Sequence, residues 1–205
     1  MKGPFAVRFD ASSCSGCKAC QAACKDRNGL RAGLLWRRVY EVSGGGWKKA
    51  GSAWAQDVFA LNLSVSCNHC EKPICAEACP TGAMRRRGDG VVLLDSGKCM
   101  GCRYCEWACP YGAPRYDEER GVMTKCDLCL ERLEEGLAPS CVSACPMRAL
   151  DFGTREEMEA RWGPAEGFPL PDPRLTEPAL RLTPHASAAR SAAEGAVANR
   201  EEVEP

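Results

Sequence analysis

This chain contains no stretch approaching the roughly 20 consecutive apolar residues of a membrane span. Its opening residues, MKGPFAVRFDASSC, hold no apolar run long enough for the core of a signal peptide. By itself the chain is therefore expected to be soluble and made in the cytoplasm, with no direct membrane span. It also lacks net charge, since 27 Lys and Arg balance 27 Asp and Glu, so there is no field to attract nucleic acid. The local run Arg85, Arg86, Arg87 reads as a solvated strand edge. Aromatic residues are few, with five Phe and four Tyr, while 20 Gly and 14 Pro imply many loops. A large apolar core is thus excluded as the main stabiliser, and staples or metals must take its place. Catalytic signatures are missing as well. There is no GxGxxG, no P-loop Gly-Lys-Ser/Thr and no nucleophile with its base.

What the chain has in excess is cysteine, 16 of 205 residues, well above ordinary usage. All sixteen fall into four groups: Cys14, Cys17, Cys20, Cys24; Cys67, Cys70, Cys75, Cys79; Cys99, Cys102, Cys105, Cys109; and Cys126, Cys129, Cys141, Cys145. Groups one and three follow C-x2-C-x2-C-x3-C, group two widens one gap to four residues, and group four widens one to eleven. Every group closes with C-x3-C. Three of the endings, Cys79-Pro-Thr-Gly-Ala, Cys109-Pro-Tyr-Gly-Ala and Cys145-Pro-Met-Arg-Ala, share C-P-x-x-A. Asp10 and Asp95 each precede a group's first cysteine by four residues, after AVRF and VVLL. Such self-similarity signals a duplicated supersecondary unit.

The repeated run is that of bacterial ferredoxins, in which the fourth cysteine ligates the other cluster of a pair. Three cysteines at two-residue gaps let one tight loop wrap three corners of a cubane, with its N-H groups directed at the sulfurs. The next residues begin a helical turn leading away, so the fourth thiolate meets a neighbouring cubane, and proline then ends the turn. Two other chemistries compete. Disulfides belong to secreted chains. A zinc site made of four cysteines prefers two separated C-x2-C pairs, and a triple run crowds one ion. The spacing favours four [4Fe-4S] clusters.

Groups two and three are separated by PTGAMRRRGDGVVLLDSGK, which reads as strand, Gly-Asp-Gly turn and strand Val91 to Leu94, the hairpin joining the halves of a small ferredoxin. They make one module, and by elimination groups one and four make the other, with AVRFD and RALDF as its outer strands. The expected ligand sets are Cys14, Cys17, Cys20 with Cys145; Cys126, Cys129, Cys141 with Cys24; Cys67, Cys70, Cys75 with Cys109; and Cys99, Cys102, Cys105 with Cys79. The fold class is α+β, two bacterial-ferredoxin-like modules with one inserted in the other. Residues 1–24 with 115–163 form the first module and 65–114 the second. Residues 25–64 form an inserted β region, in which LLWRRVYEV and DVFALNLSV are strands around a turn at Gly44, Gly45 and Gly46. Trp36, Trp47 and Trp54 read there as packing. Thr154 with Glu157 is a capping box that opens a short helix ending at Gly163-Pro164. Residues 164–205 are proline-rich and then Ala/Glu-rich, a composition that forms no core, and read as a disordered tail or an extended arm on a partner. His69 reads as a neighbour of the ligands, and Tyr104, Trp107 and Tyr111 as groups that exclude water from a cluster.

With every cluster corner held by cysteine, no iron is open to substrate. The chemistry is one-electron relay, and the chain is not an enzyme on its own. The stretches CNHCEKPICAEACPTGAM, KCMGCRYCEWACPYGAPRY, TKCDLCLERLEEGLAPSCVSACPMRALDFG and SSCSGCKACQAACKD strongly resemble the four-cluster iron-sulfur subunit of dimethyl sulfoxide reductases, within the complex iron-sulfur molybdoenzyme family. The likeness runs from about Phe5 to Gly163. It implies a place between a molybdopterin-containing catalytic subunit and a membrane anchor that oxidises menaquinol. By the same resemblance the cluster of Cys14, Cys17, Cys20 and Cys145 faces the molybdenum subunit, and that of Cys99, Cys102, Cys105 and Cys79 faces the anchor. Nitrate reductase-type relatives replace one group-three cysteine and hold a [3Fe-4S] centre. Cys102 is present here and favours four [4Fe-4S] clusters. Lys25 departs from the pattern by standing where proline follows the fourth cysteine, which leaves the first helix free to continue. The resemblance implies membrane association through the partners, on either face, since relatives are exported folded on the catalytic partner's twin-arginine signal. Alternatives are the same relay for a polysulfide, tetrathionate, arsenate or formate enzyme of molybdenum or tungsten, and a free polyferredoxin carrier.

Overall fold

The computed structural model describes residues 3–163 and 170–204. From the N-terminus, β1 (Phe5–Asp10) leads into the first cysteine group, whose end becomes α1 (Ala19–Arg27). β2 (Arg38–Gly44) is followed by the hairpin β3 (Trp47–Ala50) and β4 (Ala53–Gln56), and then by β5 (Phe59–Val65). The second cysteine group carries α2 (Ile74–Glu77), and the hairpin β6 (Met84–Arg86) and β7 (Val92–Leu94) joins it to the third. After α3 (Tyr104–Ala108) come a second hairpin, β8 (Arg115–Asp117) and β9 (Val122–Thr124), and the fourth group with α4 (Leu130–Glu134) and α5 (Ser140–Ser143). β10 (Leu150–Thr154) and α6 (Arg155–Trp162) follow, and residues 170–204 add β11 (Leu180–Thr183), α7 (Ala188–Glu194), β12 (Ala196–Val197) and α8 (Arg200–Val203).

The outer strands expected around groups one and four do meet. β1 lies at the centre of a three-stranded sheet, antiparallel to β10 with Val7 opposite Phe152. Alternation in FAVRFD gives it two faces. Phe5, Val7 and Phe9 enter the main core with Leu150, Phe152, Val39 and Leu61. On the other face Ala6 packs under Met158 of α6. The Arg8 guanidinium lies 3.7 Å over the Trp162 ring and donates to Asp10 at 3.0 Å. The capping box read at Thr154 and Glu157 is present, the Thr154 hydroxyl accepting from the Glu157 N-H at 3.2 Å.

LLWRRVYEV and DVFALNLSV form paired strands, β2 against β5 with Tyr40 opposite Leu63. Two expectations here are corrected. The three glycines do not turn β2 directly into β5. They pass the chain into the hairpin of β3 and β4, which no apolar alternation announced. Nor are Trp47 and Trp54 packing residues, being 66% and 64% exposed on that hairpin. Trp36 is packed, its indole N-H donating to the Thr124 hydroxyl at 3.0 Å.

A smaller core gathers Cys75, Met84, Val92 and Cys105 with Met123 of β9. The hairpin of β8 and β9 thus packs against residues of groups two and three and of the hairpin between them. The expectation for the tail also changes. Residues 164–169 lie outside the described residues, but from Leu170 to Glu204 the chain is neither disordered nor an extended arm. β11 runs parallel to β1 with Phe9 opposite Leu182, burying Leu180 and Leu182 in the main core. Asn199 then clips the far end to β2, its amide donating to the Val39 carbonyl at 2.9 Å and accepting the Glu41 N-H at 2.8 Å. The proline-rich composition hid a short apolar alternation, ALRLT, which suffices for an edge strand on a sheet that already exists.

Candidate metal centres

All sixteen cysteines are free thiols. The loops that carry them repeat one backbone device. The residue two places after each group's first cysteine has a positive φ, namely Gly16 at 71°, His69 at 43°, Gly101 at 72° and Leu128 at 62°. In groups one and three a second left-handed residue, Lys18 or Arg103, caps the helix that follows. Alternating handedness turns successive N-H groups toward one side and makes an anion-binding concavity. The C-P-x-x-A endings repeat as well, with positive φ at Gly82, Gly112 and Arg148, each three residues past its cysteine. Asp10 and Asp95 close equivalent turns, accepting the N-H of Ser12 and of Gly97, each at 3.0 Å. Amide N-H groups point at sulfur in all these loops. Met84 donates to Cys79 at 3.4 Å, Ala113 to Cys109 at 3.5 Å, Met123 to Cys99 at 3.4 Å and Leu128 to Cys126 at 3.4 Å.

The fold brings the groups together in an interlaced way. Cys14 lies within electrostatic reach of Cys20, Cys145 and Cys17. Cys24 has Cys141 and Cys129 as its sulfur neighbours, and Cys126 has Cys24. Cys75 is near Cys67, Cys109 and Cys70, and Cys105 is near Cys79, Cys99 and Cys102. Each neighbourhood draws three sulfurs from one group and one from another. Electrostatic influence and shared packing between neighbourhoods run in sequence. Cys20 reaches Cys141, Cys126 reaches Cys67, and Cys75 shares the smaller core with Cys105.

Among the described residues no three His, Cys, Asp or Glu side chains converge closely enough to hold one metal ion. A zinc site of four cysteines needs its sulfurs about 2.3 Å from a single ion. The looser gathering, lined with inward N-H donors, suits a larger anionic body such as a cubane. Two orphaned buried atoms fit the same group. Arg37 Nε and His69 Nε2 find no partner among the described residues, and both residues line an internal cleft with Cys67, Ser64 and Ser66. His69 is buried, and its Nδ1 accepts the Val92 N-H at 3.0 Å, so the proton of the neutral ring sits on Nε2. Burial, then Lys125 and Arg37, hold its pKa well below the ordinary value.

Burial also raises the pKa of several of the thiols. It pushes Cys24, Cys70 and Cys75 up to about 12 and Cys105 up to about 11. Such sulfurs stay protonated at neutral pH until a metal displaces the proton. Of the three aromatics read as excluding water, only Tyr111 is buried, its hydroxyl 3.2 Å from that of Thr176. Tyr104 and Trp107 face outward, 52% and 71% exposed, with ring centroids 5.7 Å apart. Sequence reasoning missed Arg37. Its only signal was the charged pair Arg37-Arg38 interrupting the largely apolar run of LLW and VYEV.

Fold and thiol arrangement define a ferredoxin-like iron-sulfur protein of α+β class. Residues 58–155, which include groups two, three and four, match the family described as a 4Fe-4S dicluster domain. The sequence is 48% identical over 188 residues to the B subunit of the anaerobic dimethyl sulfoxide reductase of Escherichia coli K12, covering 91% of this protein and 92% of that one. It is 48% identical over 205 residues to YnfG of the same organism, a probable anaerobic dimethyl sulfoxide reductase subunit, covering 99% and 100%. More distant similarity, 36% over 166 residues and covering 77% and 56%, is to the iron-sulfur subunit of the nitrate-inducible formate dehydrogenase of Escherichia coli K12. The protein belongs to the family of iron-sulfur B subunits of anaerobic dimethyl sulfoxide reductases, the electron-transfer subunits of molybdoenzyme complexes.

Proposed function

We propose that this chain holds four [4Fe-4S] clusters in a row and relays electrons from a menaquinol-oxidising membrane anchor to a molybdopterin catalytic subunit that reduces dimethyl sulfoxide. When bound, the clusters supply one-electron transfer. The protein's own residues hold them by Cys14, Cys17, Cys20, Cys145; Cys24, Cys126, Cys129, Cys141; Cys67, Cys70, Cys75, Cys109; and Cys79, Cys99, Cys102, Cys105. The observation that carries this reading is the interlacing itself, in which each group contributes three sulfurs to one neighbourhood and one to the next. Two nested ferredoxin-like modules follow, groups one and four in one and groups two and three in the other.

The two ends of the row differ in a way that supports different partners. Within group three, Met100, Tyr104 and Trp107 are each exposed, and the rings of Tyr104 and Trp107 lie 5.7 Å apart, an apolar pair suited to a partner surface. Beside group one, Cys17 and Met147 are exposed, which suits electron exit to the catalytic subunit. No helix among the described residues is long and apolar enough to cross a membrane, so contact with quinol requires the anchor. Dimethyl sulfoxide is favoured as terminal substrate by the two dimethyl sulfoxide reductase relatives, which match over nearly the whole sequence.

The deciding experiment is anaerobic affinity purification of this chain from its host, with metal analysis. About sixteen iron and sixteen sulfide per chain, together with co-elution of a molybdenum subunit and an apolar anchor, are expected. A monomer without molybdenum points instead to a free carrier, and a zinc content without sulfide overturns the cluster assignment.

A further inference from the structure

Arg37 begins as an anomaly. It is a fully charged side chain, 4% exposed, on the segment leading into β2. A buried guanidinium without a counter-ion is strongly destabilising, yet the groups whose ionisation acts on it most strongly are the sulfurs of Cys141, Cys20, Cys126 and Cys24, which become anionic only when metal displaces their protons, with no carboxylate among them. Its fork is aimed rather than loose. Nη1 donates to the Ser64 hydroxyl at 2.9 Å and Nη2 to the Ser66 hydroxyl at 2.8 Å. The Ser64 oxygen is in turn 3.5 Å from Cys20 Sγ. Because that oxygen already accepts from Arg37, its own hydrogen is free to point at the sulfur.

We propose that Arg37, with Ser64 as its intermediary, is a positioning residue that raises the reduction potentials of the two adjoining centres, those of Cys14, Cys17, Cys20, Cys145 and of Cys24, Cys126, Cys129, Cys141. The inference rests on the cluster assignment proposed above. A cysteine-ligated cubane gains negative charge when it accepts an electron from its neighbour in the row. A fixed cation in a low-dielectric interior stabilises the more negative state, and hydrogen bonds to ligand sulfur act in the same direction. Arg37 contributes in both ways. Its charge faces sulfurs of both sets, while the Ser64 hydrogen bond reaches only Cys20. Arginine suits the task because it stays protonated in any setting and its planar fork engages both serines at once. Electrons arriving from the group-three end would thus find the last two centres more receptive than their burial alone allows.

The test uses the full chain purified with its catalytic partner, and reads the midpoint potential of each cluster by redox titration followed by electron paramagnetic resonance, with iron per chain counted in parallel. Arg37→Gln is expected to lower two of the four potentials by at least tenfold in the one-electron equilibrium, about 59 mV, and to leave the other two in place. Arg37→Lys, which keeps the charge, should retain most of the native values. Ser64→Ala should lower one potential only. Unmoved potentials in Arg37→Gln at full iron content overturn the proposal, as does an equal displacement of all four. If Arg37→Gln fails to keep its iron, Ser64→Ala decides, and an unmoved potential there overturns it. The two readings fail separately. A native chain without four cubane signals defeats the proposed function, whereas full clusters with unmoved potentials defeat only the role of Arg37.

Discussion

At the scale of single residues, the fourth cysteine of each group makes the most specific claim. Cys109 closes group three in sequence but feels Cys67 as its strongest sulfur influence, and its Sγ takes the Ala113 N-H. Cys109→Ser should therefore damage the centre of group two and spare that of group three. Cluster-specific signals in electron paramagnetic resonance check this, and loss of the group-three signal alone contradicts it. A second prediction concerns the loop glycines. At Gly101 the φ is +72° and an added Cβ would meet the Gly121 carbonyl oxygen at 2.4 Å, whereas at Gly29 the φ is +56° with open space around it. Gly29→Ala should cost only the roughly 1–2 kcal/mol of a left-handed backbone. Gly101→Ala must also displace a neighbouring main chain, and should cost clearly more and release iron. Thermal unfolding and iron counts of the two variants test the ordering. Gly16 and Gly101 were legible in sequence as loop glycines between close cysteines. The same conformation at His69 and Leu128 was not, because tertiary contacts impose it. His69 is held by the Val92 N-H, and Leu128 by burial in the main core.

At the scale of elements, one substitution separates two copies of the same motif. α3 stops at Ala108, ahead of Cys109-Pro110, and spans five residues. α1 has Lys25 in that place and runs nine residues to Arg27, as the missing proline implied. The strands flanking the clusters were legible too, since AVRFD, RALDF, VVLL and DVFALNLSV each alternate or cluster apolar residues. Two elements escaped. The hairpin of β3 and β4 is exposed along its whole length, so no buried face left a pattern. β11 is short and lies amid prolines, and its partner β1 stands at the opposite end of the sequence, beyond the reach of local reading. That strand carries a prediction. Leu182 is buried against Phe9 and its neighbours, and Leu182→Ala should destabilise the chain by about 2–5 kcal/mol. A dispensable tail would tolerate the change with no loss in thermal midpoint, and that result would refute the packed role of residues 170–204.

At the scale of the whole molecule, burial and metal chemistry oppose each other until clusters are bound. The small core of a loop-rich chain is completed by sulfurs, of which Cys20, Cys24, Cys75, Cys105, Cys129, Cys141 and Cys145 are buried. Without iron, burial favours the neutral thiol at Cys20, Cys24, Cys75, Cys105 and Cys129. Burial lifts Cys24, Cys70 and Cys75 from the ordinary 9.0 to about 12. A group that holds its proton more tightly folded than unfolded contributes fully below its unfolded pKa, and that contribution drains away as pH rises toward the folded value. The cluster-free, reduced chain should thus lose thermal stability progressively from about pH 9 toward pH 12. The cluster-loaded chain should not lose this component, because iron already occupies the sulfurs and no proton remains to leave. Lysine and tyrosine titrate in the same range in both forms, so the difference between the two curves isolates the thiols. Circular dichroism melts of the two forms at stepped pH measure it. Parallel curves would mean that the buried sulfurs do not govern the stability of the cluster-free fold, whereas curves that diverge above about pH 9 tie folding to metal loading in this chain.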